Sequence, residues 1–190
     1  MRFTPILLCL LLLLPACDME QPTPLPEATR IEQTMVFGQE LPEVPRDAPA
    51  SAYLPGTLPA VTVQVYIDAL KHQMTSPDLP LYTADTRAML TAAPLTAEVM
   101  ADELVRLKKH MPAAIVYLEG KRAVIRFAIN EKKFPPFFLV AGEFGWELDL
   151  AARQQLTERT EAGGWRFRTL DHPYMFAYKR VHFSDDLVLQ

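Results

Sequence analysis

Four histidines, six tyrosines and a scatter of carboxylates are what this chain of 190 residues offers for acid–base chemistry or metal binding. His72, His110, His172 and His182 stand apart, without the short His/Cys/Glu spacings that place several ligands on one ion. His110 follows Lys108 and Lys109, which reads as a cationic helix C-terminus. Tyr66, Tyr82, Asp68, Asp85 and Asp149 are the acid–base candidates, since a desolvated cavity can tune such groups for proton transfer. Each also has a simpler explanation. Tyr66 lies on an apolar helical stripe, Asp85 sits near a helix start, and Asp149 alternates with Leu148 and Leu150 as a solvent-facing residue would. There is no GxSxG elbow and no glycine-rich phosphate loop. The sequence therefore assigns no catalytic, cofactor-binding or metal-binding residue. In "KKFPPFF", Pro135 and Pro136 cannot donate to a ladder, so the segment is a strand entrance or edge. Phe134, Phe137 and Phe138 gather there, either as core or as an aromatic lip for a ligand or partner.

A thiol nucleophile is equally short of support. The only cysteines are Cys9 and Cys17, both at the end or inside of a leucine-rich run. Arg2 is a minimal positive n-region, and 3–14 is apolar yet shorter than the roughly 20 residues of a spanning helix. Leu14-Pro15-Ala16-Cys17 resembles the bacterial lipobox: aliphatic at −3, small at −1, cysteine at +1. That resemblance implies a signal peptide over 1–16, cleavage after Ala16 and acylation of Cys17. Two or more acyl chains make membrane attachment stable, at about 0.8 kcal/mol per buried methylene. The mature chain then has no disulfide. Losing Arg2 takes its formal charge from −4 to −5. An acidic chain of pI about 5.6 lacks the basic footprint of a nucleic-acid binder. Asp18 directly follows the cysteine, which in enteric bacteria favours retention in the inner membrane; the expected location is the cell membrane, with the domain in the periplasm.

Eight prolines between Asp18 and Ala60 argue against long regular structure there. Residues 17–60 read as a lipidated tether, though Ile31, Val36, Phe37 and Leu41 are apolar enough for part of it to pack. A single domain follows over 61–190. "VTVQVYIDALKHQM" aligns Val63, Tyr66, Ile67, Leu70 and Met74 on one helical face. A short helix follows in "TADTRAMLTA", capped by Thr83. "TAEVMADELVRLKKHM" is the clearest helix, with Thr96 as N-cap and Met100, Leu104, Leu107 and Met111 as buried stripe. The period then changes to strands. "AIVYLEGKRAVIRFAIN" predicts a hairpin turning at Glu119-Gly120, so that Val116 opposes Ala123. Ala114, Val116, Ala123, Ile125, Phe127 and Ile129 then face the helices, and Ile115, Tyr117, Arg122, Val124 and Arg126 face away. "PFFLVAGEFGWELDL" predicts a second hairpin. In the tail, "AARQQLTERTEA" favours helix, while "WRFRTL" and "YMFAYKRV" favour strands.

Helices followed by antiparallel hairpins define an α+β fold, with helices packed on a curved, mostly antiparallel sheet that wraps the long helix. The helical opening and the Gly145-Trp146-Glu147-Leu148-Asp149-Leu150 stretch resemble the nuclear-transport-factor-2-like, or SnoaL-like, superfamily over about 61–150. The resemblance implies a cone enclosing an apolar pocket; the extension from Ala151 to Gln190 departs from the family's minimal pattern and is expected to close one mouth. Tyr66, Tyr82, Phe127, Phe134 and Phe137 are the candidate pocket or lip residues. The leading expectation is a lipid-anchored envelope protein that binds a partner protein or small apolar ligand without reacting it. The alternative is a periplasmic isomerase or dehydratase of the same fold acting on an apolar substrate, which is how some superfamily members work.

Overall fold

A computed structural model describes residues 43–127 and 132–190. Cys17, most of the tether and Ile129 lie outside the described residues. The chain is α+β. Its helices are α1 (Pro59–Lys71), α2 (Ala84–Ala92), α3 (Ala97–His110) and α4 (Leu150–Leu156). Its strands are β1 (Ala114–Glu119), β2 (Arg122–Phe127), β3 (Phe137–Ala141), β4 (Trp146–Leu148), β5 (Thr157–Arg159) and β6 (Trp165–Phe167). Strands β1 to β4 form one antiparallel sheet in chain order; β5 and β6 form a separate antiparallel pair.

The helix boundaries follow local chemistry. Pro59, which lacks an N–H, opens α1, where that donor would be orphaned anyway. The Thr83 and Thr96 hydroxyls accept from Thr86 N and Val99 N and so cap α2 and α3. Met74, placed on the α1 face by its spacing, lies beyond the helix. Gln73 adopts φ +56°, Gln73 N donates to Leu70 O, and Met74 N reaches back to Ala69 O at 2.9 Å. This is a Schellman closure, which returns Met74 to the core edge by a turn rather than by helical period.

The hairpin between β1 and β2 turns one residue later than the sequence suggested. Glu119 pairs with Arg122 and Val116 with Ile125, leaving Gly120-Lys121 as the two-residue loop. Gly120 has φ +56°, the left-handed geometry that a two-residue turn with glycine in its first central position demands. Moving a turn by one residue shifts cross-strand partners by two, so the side-chain parity survives. Val116, Ala123, Ile125 and Phe127 are buried in the helix-side core with Phe137, Leu139 and Leu148.

The helix seated on the sheet is α1, against β2 and β4, while the longer α3 packs on α1. The reason is burial: α1 buries Ala60, Val63, Tyr66, Ile67 and Leu70 together with Thr62 and Asp68, whereas α3 buries only Met100, Leu107 and His110. Thr62 locks α1 to β4, accepting from Gly56 N at 2.9 Å and donating to Trp146 O at 2.6 Å. Gly145 sits where a Cβ would come within 2.5 Å of Gly56 O, so the Gly-Trp pair serves close backbone approach here.

The sheet's other face is covered as well. Val124 and Phe138 pack there against Trp165, Phe167, Tyr174, Phe176, Tyr178 and Leu189. "YMFAYKRV" is no strand: Met175–Tyr178 forms a single 3₁₀ turn whose aromatics lie on the face of the sheet rather than pairing at its edge. Strand propensity yields to that packing. Arg126, which points away from the helices, is therefore half-buried. Its guanidinium lies 4.4 Å from the Tyr178 ring and 5.1 Å from the Tyr117 ring, and it donates to Ala177 O.

Candidate binding cavity

A cavity of about 550 Å³ opens beside α1 and α3. Its apolar wall comes from Leu70 of α1, Met100 of α3, Leu150 of α4, and Leu95, Val99 and Phe134 around them. These residues come from segments far apart in sequence, which α4 closes by standing at the end of β4. The start of α4 is itself held from a distance. Thr86 of α2, fully buried, accepts from Leu150 N at 2.9 Å and Ala151 N at 3.3 Å, while Asp149 accepts from Ala152 N at 2.9 Å. The first three N–H groups of the helix are thereby satisfied by two side chains.

Five aromatic residues singled out in the sequence form one cluster. Tyr66 is 2% exposed and meets Tyr82 and Phe137 edge-on, at centroid distances of 6.2 and 5.8 Å. Phe134 lies 4.7 Å from Phe127 and 6.1 Å from Phe137. Tyr66 and Phe134 line the cavity; Tyr82, Phe127 and Phe137 back them as buried core. Phe138 is not part of this group. It points through the sheet and stacks on Tyr174 at 4.3 Å, because consecutive strand residues face opposite ways.

The polar part of the cavity was not legible in advance. Arg153 of α4 pairs with Glu103 of α3 at 2.5 Å, with side chains 13% and 18% exposed. Its guanidinium also lies 4.3 Å from the Phe137 centroid and 5.2 Å from that of Phe134. No periodicity links residues 50 positions apart, and Glu103 is one of several charged residues along α3, so nothing in the sequence marks the pair. Burial, with the Glu103 charge as a smaller contributor, pushes the Tyr66 phenol well above its ordinary range. Burial raises the Tyr82 phenol too. Both stay protonated at neutral pH and are hydrogen-bond donors, not bases.

The mouth carries two shared carboxylates. Asp102 lies 2.9 Å from Arg106 and 3.9 Å from Arg159; Glu158 lies 2.6 Å from Arg166 and 2.9 Å from Arg168.

The remaining acid–base candidates have structural duties. Asp68 is buried on α1 and accepts from Val44 N at 3.2 Å, and burial raises its carboxyl above the ordinary value. Asp149 does not face solvent: it caps α4 and accepts from the Tyr174 hydroxyl at 2.9 Å. Asp85 is exposed in the first turn of α2. His110, at the end of α3, is buried rather than solvent-facing, its ring stacked on Phe134 at 5.6 Å. His72 shares a hydrogen bond of 3.0 Å with the Tyr53 hydroxyl. Among the described residues no three His, Cys, Asp or Glu side chains converge as a metal site would require. Comparison with family models, curated proteins and solved structures finds no match to this chain.

Proposed function

We propose that the chain is a lipid-anchored envelope protein whose domain binds a small apolar ligand in this cavity without reacting it. The observation that carries the reading is the cavity itself. Its volume of about 550 Å³ falls within the roughly 300–1,000 Å³ of small-ligand clefts, and Leu70, Met100, Phe134 and Leu150 make its wall apolar. The anchor rests on Leu14-Pro15-Ala16-Cys17, with the domain held on the periplasmic side of a cell membrane. The meander with α1 on one face is consistent with a cone-like, nuclear-transport-factor-2-like arrangement, and the cavity then corresponds to the open end of the cone.

Binding without reaction is favoured over catalysis by the state of the polar groups. The Glu103 carboxylate is committed to Arg153, and the raised phenol of Tyr66 cannot accept a proton at neutral pH. What remains is an apolar wall with hydrogen-bond donors, which orients a ligand.

The test uses N-phenyl-1-naphthylamine, a neutral apolar fluorophore, with the purified mature chain carrying Cys17→Ser, so that no acyl group of its own competes. Saturable fluorescence enhancement is expected, and Val99→Trp should reduce it. Val99 is 51% exposed at the mouth, so the larger side chain narrows the entrance without overpacking the core. Absence of saturable binding, or binding indifferent to Val99→Trp, would overturn the reading.

A further inference from the structure

Charge is distributed against the trend of the molecule around this cavity. The whole chain carries a formal charge of −4. Yet among the described residues the charged ones lining the cavity are Arg106, Lys133, Arg153, Arg159 and Arg168 against Glu103 and Glu158. The Glu103–Arg153 pair lies inside and neutralises itself at 2.5 Å. At the mouth the pairing is two to one: Arg106 and Arg159 share Asp102, and Arg166 and Arg168 share Glu158. A carboxylate shared between two guanidinium groups leaves positive charge uncompensated, and Lys133 adds to it. These groups keep access to solvent, with Arg159 77% and Arg168 53% exposed, so they can meet an incoming anion without first losing a buried partner.

We infer that the ligand is a single-chain amphipathic anion of the fatty-acid type, its hydrocarbon against Leu70, Leu95, Met100 and Phe134 and its acidic head among Arg106, Arg159, Arg168 and Lys133. The inference rests on the cavity reading above and specifies its ligand. A neutral hydrocarbon would use the inner wall and leave the cationic mouth idle. A cationic amphiphile would meet like charge there. Because Glu103 already occupies Arg153, the head belongs at the mouth rather than the floor. The arginine fork matches the two oxygens of a carboxylate, which an isolated lysine would not.

Displacement of bound N-phenyl-1-naphthylamine by laurate, 1-dodecanol and dodecylammonium tests this, since the three share one chain and differ in head charge. At low ionic strength laurate should displace the fluorophore about tenfold more effectively than dodecanol, with dodecylammonium weakest. Added salt should shrink the laurate advantage, because the mouth is solvent-exposed. Arg106→Gln combined with Arg159→Gln should weaken laurate about fivefold, in keeping with exposed ion pairs, and leave dodecanol unchanged. The unchanged dodecanol value shows that the variant is folded; Lys133→Gln, on a different segment, should give a smaller loss of the same sign. Dodecanol displacing as well as laurate would overturn the anionic ligand while the apolar-cavity reading stands. A laurate preference insensitive to both salt and the arginine changes would overturn the placement of the head. If the fluorophore binds and none of the three displaces it, the fatty-acid-type ligand is excluded; if the fluorophore itself fails to bind, the cavity reading falls first.

Discussion

Replacing Thr86 by Val keeps the shape of a fully buried side chain and removes one hydroxyl, which makes it a clean probe of how the cavity is held. That hydroxyl is the only side-chain oxygen on Leu150 N and Ala151 N, at 2.9 and 3.3 Å. These are the first two donors of α4, and no helical carbonyl can replace the lost acceptor. The Thr83 hydroxyl, part-buried, also loses Thr86 Oγ1 as its acceptor at 2.9 Å, while two other contacts survive the change. Leu148 O still accepts from Thr83 N at 3.1 Å, and Thr86 N still donates to the Thr83 hydroxyl. An orphaned buried donor costs about 1–3 kcal/mol, so two of them, one with the longer bond, should cost about 2–4 kcal/mol. Thr86→Ser keeps the hydroxyl and should lose only about 0.8 kcal/mol for one buried methyl group. Urea unfolding followed by the fluorescence of Trp146 and Trp165 measures both, with an unchanged m-value showing that the unfolded surface is the same. Because α4 supplies Leu150 and Arg153 to the cavity, fluorophore affinity should fall in the Val variant as well. Equal midpoints for Val and Ser would refute this account of α4.

Further outcomes follow from other parts of the molecule. Phe127→Ala should cost about 3–5 kcal/mol, as truncated buried aromatics do. Arg126→Ala should cost about 1–3 kcal/mol, since the guanidinium is held between two tyrosine rings and a carbonyl, and should expose 165–190 to protease first; proteolysis indistinguishable from wild type would contradict the role of Arg126 in seating that cover. Burial holds the His172 imidazole below its ordinary value against a smaller opposing pull from Asp171. The unfolded chain therefore binds more protons in the window below about pH 6.5, and stability should fall as pH drops from there through the folded value. His172→Gln should flatten that slope in urea midpoints read against pH, and an unaltered slope would assign it elsewhere. Cys17→Ala should abolish labelling by radioactive fatty acid in cells, with equal label in the variant arguing against the lipobox.

Much of the local structure is written in nearest-neighbour chemistry. Thr83 and Thr96 cap the helices they precede because a hydroxyl one residue before a helix meets its exposed donors whatever the rest of the chain does. The α+β order of elements and the helix-facing set Val116, Ala123, Ile125 and Phe127 follow from periodicity, and they survive a shifted turn because pairing moved by two. Glycine at the first central turn position was also readable: Gly120-Lys121 fits that rule, and Glu119-Gly120 does not. The five aromatics converge because the apolar faces that periodicity identifies must bury against one another.

What the tertiary structure alone decided are partnerships between distant segments. Arg153 finds Glu103, Thr86 takes the first donors of α4, and Asp149 accepts from Tyr174, none of which leaves a mark in local spacing. The far face of the sheet is the clearest instance. Tyr117, Val124 and Arg126 alternate as solvent-facing strand residues do, yet the segment from Trp165 to Leu189 buries or half-buries them. A strand's pattern reports which residues share a face; whether that face meets water depends on where the rest of the chain has room to lie. The cationic mouth has the same origin, because Arg106, Arg159 and Arg168 gather only when α3, β5 and the chain after β6 meet.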